Sequence, residues 1–161
     1  MNPRTLAHVF GNLVLLDIDA EDKQDILTQL VAAVCKRHKI SKRQQSALLS
    51  KVKAREQLGS TGIGAGAAVP HAKTAHVKKL IGAFARTADP IDYDAVDGEP
   101  VQLFFLLLSP EDAAAGYLEA LSTLSRAIRD KKFCSFMRTA KSKKDLLYSL
   151  GEIVLRPVQG A

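Results

Sequence analysis

The sequence predicts an α/β layered sandwich, a single domain in which a mixed β-sheet is flanked by helices on both faces. Three observations predict it. Val101 to Leu108 is an uninterrupted apolar run between Pro100 and Pro110, as expected of a central strand covered on both sides. Stretches of helical periodicity lie before and after it, and helices that bracket three or more strands pack as layers on a shared sheet. A length of 161 residues, 47% hydrophobic and 25% charged, is that of one globular domain able to bury a core without disulfides or metal. The domain is expected to fill residues 1–161, with its core over about residues 13–150.

The elements follow in order. Leu13 to Ile18 is rich enough in Leu, Val and Ile for a strand. Asp19 is the expected cap of the next helix, with Glu21 and Asp22 in its first turn at the positive end of the dipole. Ile26, Leu27, Leu30, Val31, Val34 and Cys35 then form one apolar stripe. Ser41 and Gln44 make the S-x-x-Q pattern of a capping box, opening a helix that carries Ala47, Leu48 and Val52 inward and fades near Arg55 to Gly59.

Gly59 to Gly66 holds four glycines in eight residues, which reads as an irregular turn packed close around the histidine that follows, His71. Ala67 to Val69 is a short apolar strand ending in Pro70-His71. Leu80 to Arg86 reads as a strand that Asp89-Pro90 breaks. Beyond the Val101 strand, Tyr117, Leu121, Leu124 and Ile128 form a helix with one buried stripe. Phe133, Phe136 and Met137 suggest a short helix. Ser142 and Asp145 cap a last one, with Leu146, Leu147 and Leu150 inward.

Several function classes drop out. No stretch reaches the roughly 18 apolar residues of a membrane helix, and Met1 to Phe10 lacks the order of a secretory signal. The chain is expected in the cytoplasm, with no membrane insertion. Cys35 and Cys134 lie among apolar neighbours as reduced core thiols, and the scattered histidines and cysteines give no metal site. No cofactor is called for. The net charge of +6 gathers at Lys36 to Arg55 and Arg126 to Lys144. Nucleic-acid binding is not expected from it, because there is no recognition-helix or finger signature and only nine aromatics for base stacking. Such charges are more often a solvated face or a docking patch for an acidic protein.

Four histidines are the side chains that change charge near neutral pH. His8, His38 and His76 lie in polar, terminal or Lys-rich context and read as surface. His71 differs, since it follows a proline and lies a few residues beyond the glycine-rich turn. That turn is no nucleotide loop: a helix precedes it, and Lys-Ser/Thr is missing.

The run from Ala54 to Lys73 decides the reading. Arg55-Glu56, then Ser60-Thr61-Gly62-Ile63-Gly64, then Ala67-Ala68-Val69 and Pro70-His71-Ala72-Lys73 closely resemble the active-site signature of the mannitol/fructose-type enzyme IIA domains of the bacterial sugar phosphotransferase system. Pro90-Ile91-Asp92-Tyr93-Asp94 and Asp97-Gly98-Glu99-Pro100-Val101 resemble the family's next segments. The resemblance covers roughly Leu13 to Leu150.

It implies a phosphocarrier. His71 would take a phosphoryl group from the phosphorylated carrier protein HPr, and pass it to a cysteine on an enzyme IIB or hold it as a regulatory signal. Arg55 matches the family arginine that meets the phosphoryl oxygens. Ser60 and Thr61 could add hydroxyl donors, although turn residues often bond only their own backbone, and Lys73 is a lesser candidate. The family's usual second histidine is replaced: the stretch reads Gly116-Tyr117-Leu118-Glu119-Ala120-Leu121, so Tyr117 stands in its place. With one domain, no membrane segment and no fused IIB, the pattern looks most like the nitrogen-regulatory branch. The alternative, suggested by Tyr117, is a degenerate binding module of the same fold that controls a partner by contact. Sugar, IIB partner, regulated target and oligomeric state are not written in the sequence.

Overall fold

The computed structural model describes residues 4–156. Its elements run α1 (Leu6–Phe10), β1 (Val14–Ile18), α2 (Lys23–Arg37), α3 (Lys42–Gln57), β2 (Gly62–Gly64), β3 (Ala67–Ala68) and β4 (His71–Lys73). They continue with β5 (Ile81–Ile91), β6 (Val101–Ser109), α4 (Ala114–Arg129), α5 (Lys131–Thr139) and α6 (Lys143–Gly151).

The strands form one mixed sheet in the order β1-β5-β6-β3-β2, with β4 also paired to β6. Parallel pairs are β1 with β5 and β6 with β3 and β4, while β5 and β6 run antiparallel, as do β2 and β3. β6 is the central strand foreseen from its apolar run, and its alternation builds both cores. Leu103, Phe105 and Leu107 face the layer of α1, α4, α5 and α6; Phe104, Leu106 and Leu108 face α2 and α3. The expected two-faced sandwich is the fold observed.

Four local expectations need correction. The cap of α2 is Asp22, whose Oδ1 accepts the Asp25 N–H at 2.8 Å; Asp19 instead stays before the helix and gives its carbonyl to Gln29 Nε2 at 2.7 Å. Asp89-Pro90 does not end β5. The strand absorbs the proline through a register shift between Arg86 and Ile91 and runs on to Ile91. The glycine-rich segment is partly ordered as β2 and β3, joined by a two-residue turn in which Ala65 and Gly66 both have positive φ, 58° and 72°. Those glycines do not crowd the histidine: a Cβ on Gly62 would meet Ala95 Cβ at 2.7 Å, so the close approach is to the β5–β6 connection.

The core also extends beyond the expected limits. α1 buries Leu6, Val9 and Phe10 against the sheet, and its Leu6 N–H pairs with the Ile153 carbonyl at 3.0 Å. Both cysteines are free and buried, as read from their neighbours.

Candidate functional site

His71 opens β4, and its backbone lies beside Leu107 of the central strand. The imidazole is half-buried. Its Nδ1 lies 2.7 Å from the Val69 carbonyl oxygen. A carbonyl only accepts, so Nδ1 carries the ring proton and Nε2 keeps its lone pair. Arg55, in the last turn of α3, donates its Nε–H to that lone pair at 3.2 Å and its Nη1–H to the Gly59 carbonyl at 2.9 Å. The second bond ties the guanidinium to the turn that follows α3 and helps fix its plane beside the imidazole.

Burial, the largest influence, lowers the affinity of His71 for a proton. The Val69 carbonyl opposes that, Arg55 adds to it, and Glu56 opposes it again; the balance lies below the ordinary imidazole value. The ring is therefore neutral near pH 7. Chemically, the arrangement is a neutral imidazole nucleophile with a fixed planar cation at the nitrogen that would attack.

Tyr117, in the first turns of α4, stands where α4 opens beside β4. Its ring centre is 5.7 Å from that of His71, tilted by 59°. Burial pushes the phenol up to about 12 against a smaller pull from Arg55, so it stays protonated. The two residues meet ring to ring, and no hydrogen bond of the Tyr117 hydroxyl is found among the described residues. Lys73, two positions along the strand from His71, holds its ammonium 5.5 Å from the centre of the Tyr117 ring. An open cleft of about 590 Å³ joins these groups, with Lys51 and Leu58 on its rim. Lys51 pairs with Glu111 at 3.0 Å.

Ser60 and Thr61 do not reach this cleft. Ser60 Oγ donates to the Tyr93 carbonyl at 3.3 Å and accepts the Gly62 N–H at 3.1 Å. Thr61 is buried with its hydroxyl on Glu56 and Tyr93. These hydroxyls serve the turn, not the imidazole.

The sequence reading passed over what holds the turn. Glu56, beside Arg55, is 6% exposed and accepts the Thr61 N–H at 2.9 Å, the Tyr93 hydroxyl at 2.9 Å and the Lys23 ammonium at 2.9 Å. Burial alone would raise its carboxyl, but the bonds from Thr61, Lys23 and Tyr93 outweigh that and hold it below the usual carboxylate range. Burial and then the Glu56 charge push the Tyr93 phenol far up. Lys23 also sits 4.7 Å over the Tyr93 ring. The cluster ties α2, α3, the 59–61 turn and the β5–β6 connection into one block behind Arg55. A charged residue directly after Arg55 at a helix end was the available signal.

Known proteins share this framework. The model of the phosphoenolpyruvate-dependent sugar phosphotransferase system EIIA 2 family matches residues 8–152. A nitrogen regulatory protein of Bradyrhizobium diazoefficiens is 34% identical over 148 residues, covering 92% of this chain and 93% of that one. The crystal structure of nitrogen regulatory protein IIA-Ntr from Neisseria meningitidis superposes with a TM-score of 0.83 at 33% identity, over 90% of this chain and 98% of that one. Enzyme IIA mannitol of Escherichia coli, solved in complex with phosphorylated enzyme IIB mannitol, shares the fold with a TM-score of 0.72 at 16% identity, over 86% of this chain and 94% of that one.

Proposed function

This chain belongs to the phosphoenolpyruvate-dependent sugar phosphotransferase system EIIA 2 family, and from that we propose that His71 is its phosphoryl acceptor, working as a phosphocarrier of the nitrogen-regulatory kind. The observation that carries the proposal is the pair of bonds on the imidazole: Val69 fixes the proton on Nδ1, and Arg55 sits at the lone pair of Nε2.

Nε2 attacks the phosphorus of a phosphorylated HPr-type carrier. The N–P bond to His71 forms as the N–P bond to the carrier's own ring breaks, and the departing ring keeps the bonding electron pair. Charge on the three phosphoryl oxygens is met by the Arg55 guanidinium, which moves from the lone pair to the oxygens it has been guarding. Lys73 adds positive charge at the cleft. Onward transfer goes to an enzyme IIB, as the complex of the mannitol relative suggests, or the phosphorylated form signals to a regulated target.

Leu58 is 85% exposed on the rim of the cleft and Leu118, which follows Tyr117, is 55% exposed. Apolar side chains in that position suit a protein partner rather than a small substrate. No helix of the described residues is long and apolar enough to cross a membrane, and a relay fed by phosphoenolpyruvate would work in the cytoplasm.

One observation favours a second reading. Tyr117 brings a neutral phenol where the family has an imidazole, which suits a module that binds partners without turning over phosphate. Incubation with phosphoenolpyruvate, enzyme I and HPr, followed by mass measurement, separates the two. The phosphocarrier takes one acid-labile, base-stable phosphate that His71→Ala loses. No phosphate on the unmodified protein, with partner binding intact, establishes the module instead.

A further inference from the structure

Three of the four histidines gather at a second place, away from His71. Two adjoining cavities of about 640 and 490 Å³ share His38, Lys79 and Ile81. They lie where α1, the end of α2 and the loop from β4 to β5 meet. Arg4 and His8 line one, His76 and Lys78 the other, so six cationic or protonatable side chains converge there.

No carboxylate lines either cavity, and none of the ion pairs found among the described residues uses these cations. The imbalance is felt locally. Burial first, then the charges of Lys79 and Arg37, hold the His38 imidazole below its ordinary value. Like charges held together without a counterion repel one another, and a bound anion would relieve that cost. Donors are in place for one: His8 Nδ1 accepts the Thr5 N–H at 3.2 Å, so the ring's proton sits on Nε2, open to an acceptor.

The floor is of the opposite character. Val9, Val77, Leu80 and Ile81 are buried there with Ile40 beside them. An inorganic anion would leave this apolar floor unused, whereas a ring system attached to phosphates would cover it. Each cavity falls within the roughly 300–1,000 Å³ of small-molecule sites. A concave basic rim over a closed apolar floor also differs from the flat face that a duplex or a protein surface requires.

We propose that this double cavity binds a nucleoside polyphosphate, with its phosphates on the Arg4, Lys78 and Lys79 side and its base on the apolar floor between the histidine rings. No residue is shared between it and the Arg55–His71 cleft, so the ligand is an effector rather than a substrate of His71. The binding is non-covalent and stands whether or not His71 carries phosphate.

The test is an NMR titration of the full chain, following the four imidazoles, with ATP, inorganic triphosphate or adenosine added in the absence of magnesium. ATP should move the His8, His38 and His76 signals together at sub-millimolar concentration and leave His71 in place. Triphosphate and adenosine should each bind at least roughly tenfold more weakly than ATP, and Lys79→Glu, an exposed position, should cost a similar factor. His71→Ala should bind ATP unchanged. The proposal is overturned if ATP leaves the three signals unmoved at millimolar concentration, or if it moves His71 alone. It is equally overturned if triphosphate binds as tightly as ATP, since the floor would then have no part in recognition.

Discussion

Arg55 Nε and His71 Nε2 are 3.2 Å apart, with the guanidinium donating to the one lone pair the imidazole has free. The arginine holds the ring in place at rest, and in the proposed transfer it would meet the phosphoryl oxygens once Nε2 has been used. Lysine keeps the charge but cannot bond Nε2 and the Gly59 carbonyl through one rigid plane. Arg55→Lys should slow phosphoryl transfer by roughly ten- to a hundredfold, the equivalent of about 1.5–3 kcal/mol for a charged hydrogen bond, with thermal stability little changed. Stopped-flow transfer from phosphorylated HPr reads this directly, and an unchanged rate would leave Arg55 with a structural role only, bonding the ring and the Gly59 carbonyl.

The neutral imidazole sets a pH dependence. Because burial and Arg55 put the folded-state value of His71 below the ordinary one, transfer should hold level through pH 7 and fall only as pH drops through that lowered value. The stability effect has a definite sign. Between the two values the unfolded chain binds the proton and the folded chain does not, so stability drops as pH falls through the window below about 6.5. Titration of the His71 ring signals by NMR should show a midpoint below the ordinary imidazole value. A midpoint at or above the ordinary imidazole value would contradict the assignment of Nε2 as a lone pair held free at neutral pH.

Glu56 should matter to the fold and to Arg55 at once. Glu56→Gln removes the negative partner of Lys23 and leaves a largely buried ammonium over Tyr93, a change expected to cost about 3 kcal/mol. The folded carboxyl has a lowered value, so its stabilising contribution is present above the unfolded carboxylate range and disappears as pH falls through the folded one. Urea unfolding of the wild type and Glu56→Gln should thus converge at low pH and diverge at pH 7. Parallel curves at all pH values would show that the ion pair carries no net stability.

How much of this was legible in the sequence follows from how far apart the cooperating residues lie. Arg55 and His71 are 16 positions apart inside one signature, so a local pattern carries both. The Glu56–Tyr93 bond spans 37 positions, and Lys23 joins from α2; no spacing rule links three such segments. The central strand was readable because burial on both faces leaves an unbroken apolar run. The α2 cap was not, because Asp19, Glu21 and Asp22 offer similar chemistry within four positions and only the chain path selects Asp22. Where the Ser60 and Thr61 hydroxyls point was not legible for a similar reason: which way a turn presents its side chains is set by Glu56 and Tyr93, not by the turn's own residues.

Tyr117 offers the sharpest test of what the missing second imidazole costs. Its ring lies 5.7 Å from that of His71, and burial keeps the phenol neutral with its value pushed up to about 12. A phenol can donate one hydrogen bond but cannot carry positive charge in this range. An imidazole at the same place can become a cation as the phosphoryl group arrives, adding to the charge that Arg55 supplies. Tyr117→His should therefore fold and raise the transfer rate from HPr. It gives up the Lys73 contact with the Tyr117 ring, a cost of about 0.5–1 kcal/mol at a partly exposed site, so the gain in rate should come with a small loss in thermal stability. Tyr117→Phe keeps the ring packing and the cation–π contact and removes only a hydroxyl that makes no hydrogen bond found among the described residues. It should lower the rate only slightly. A Tyr117→Phe protein unable to accept phosphate at all would mean that the hydroxyl is itself part of the chemistry. A Tyr117→His protein that is folded yet no faster would mean that Arg55 and Lys73 already supply the positive charge the phosphoryl group needs.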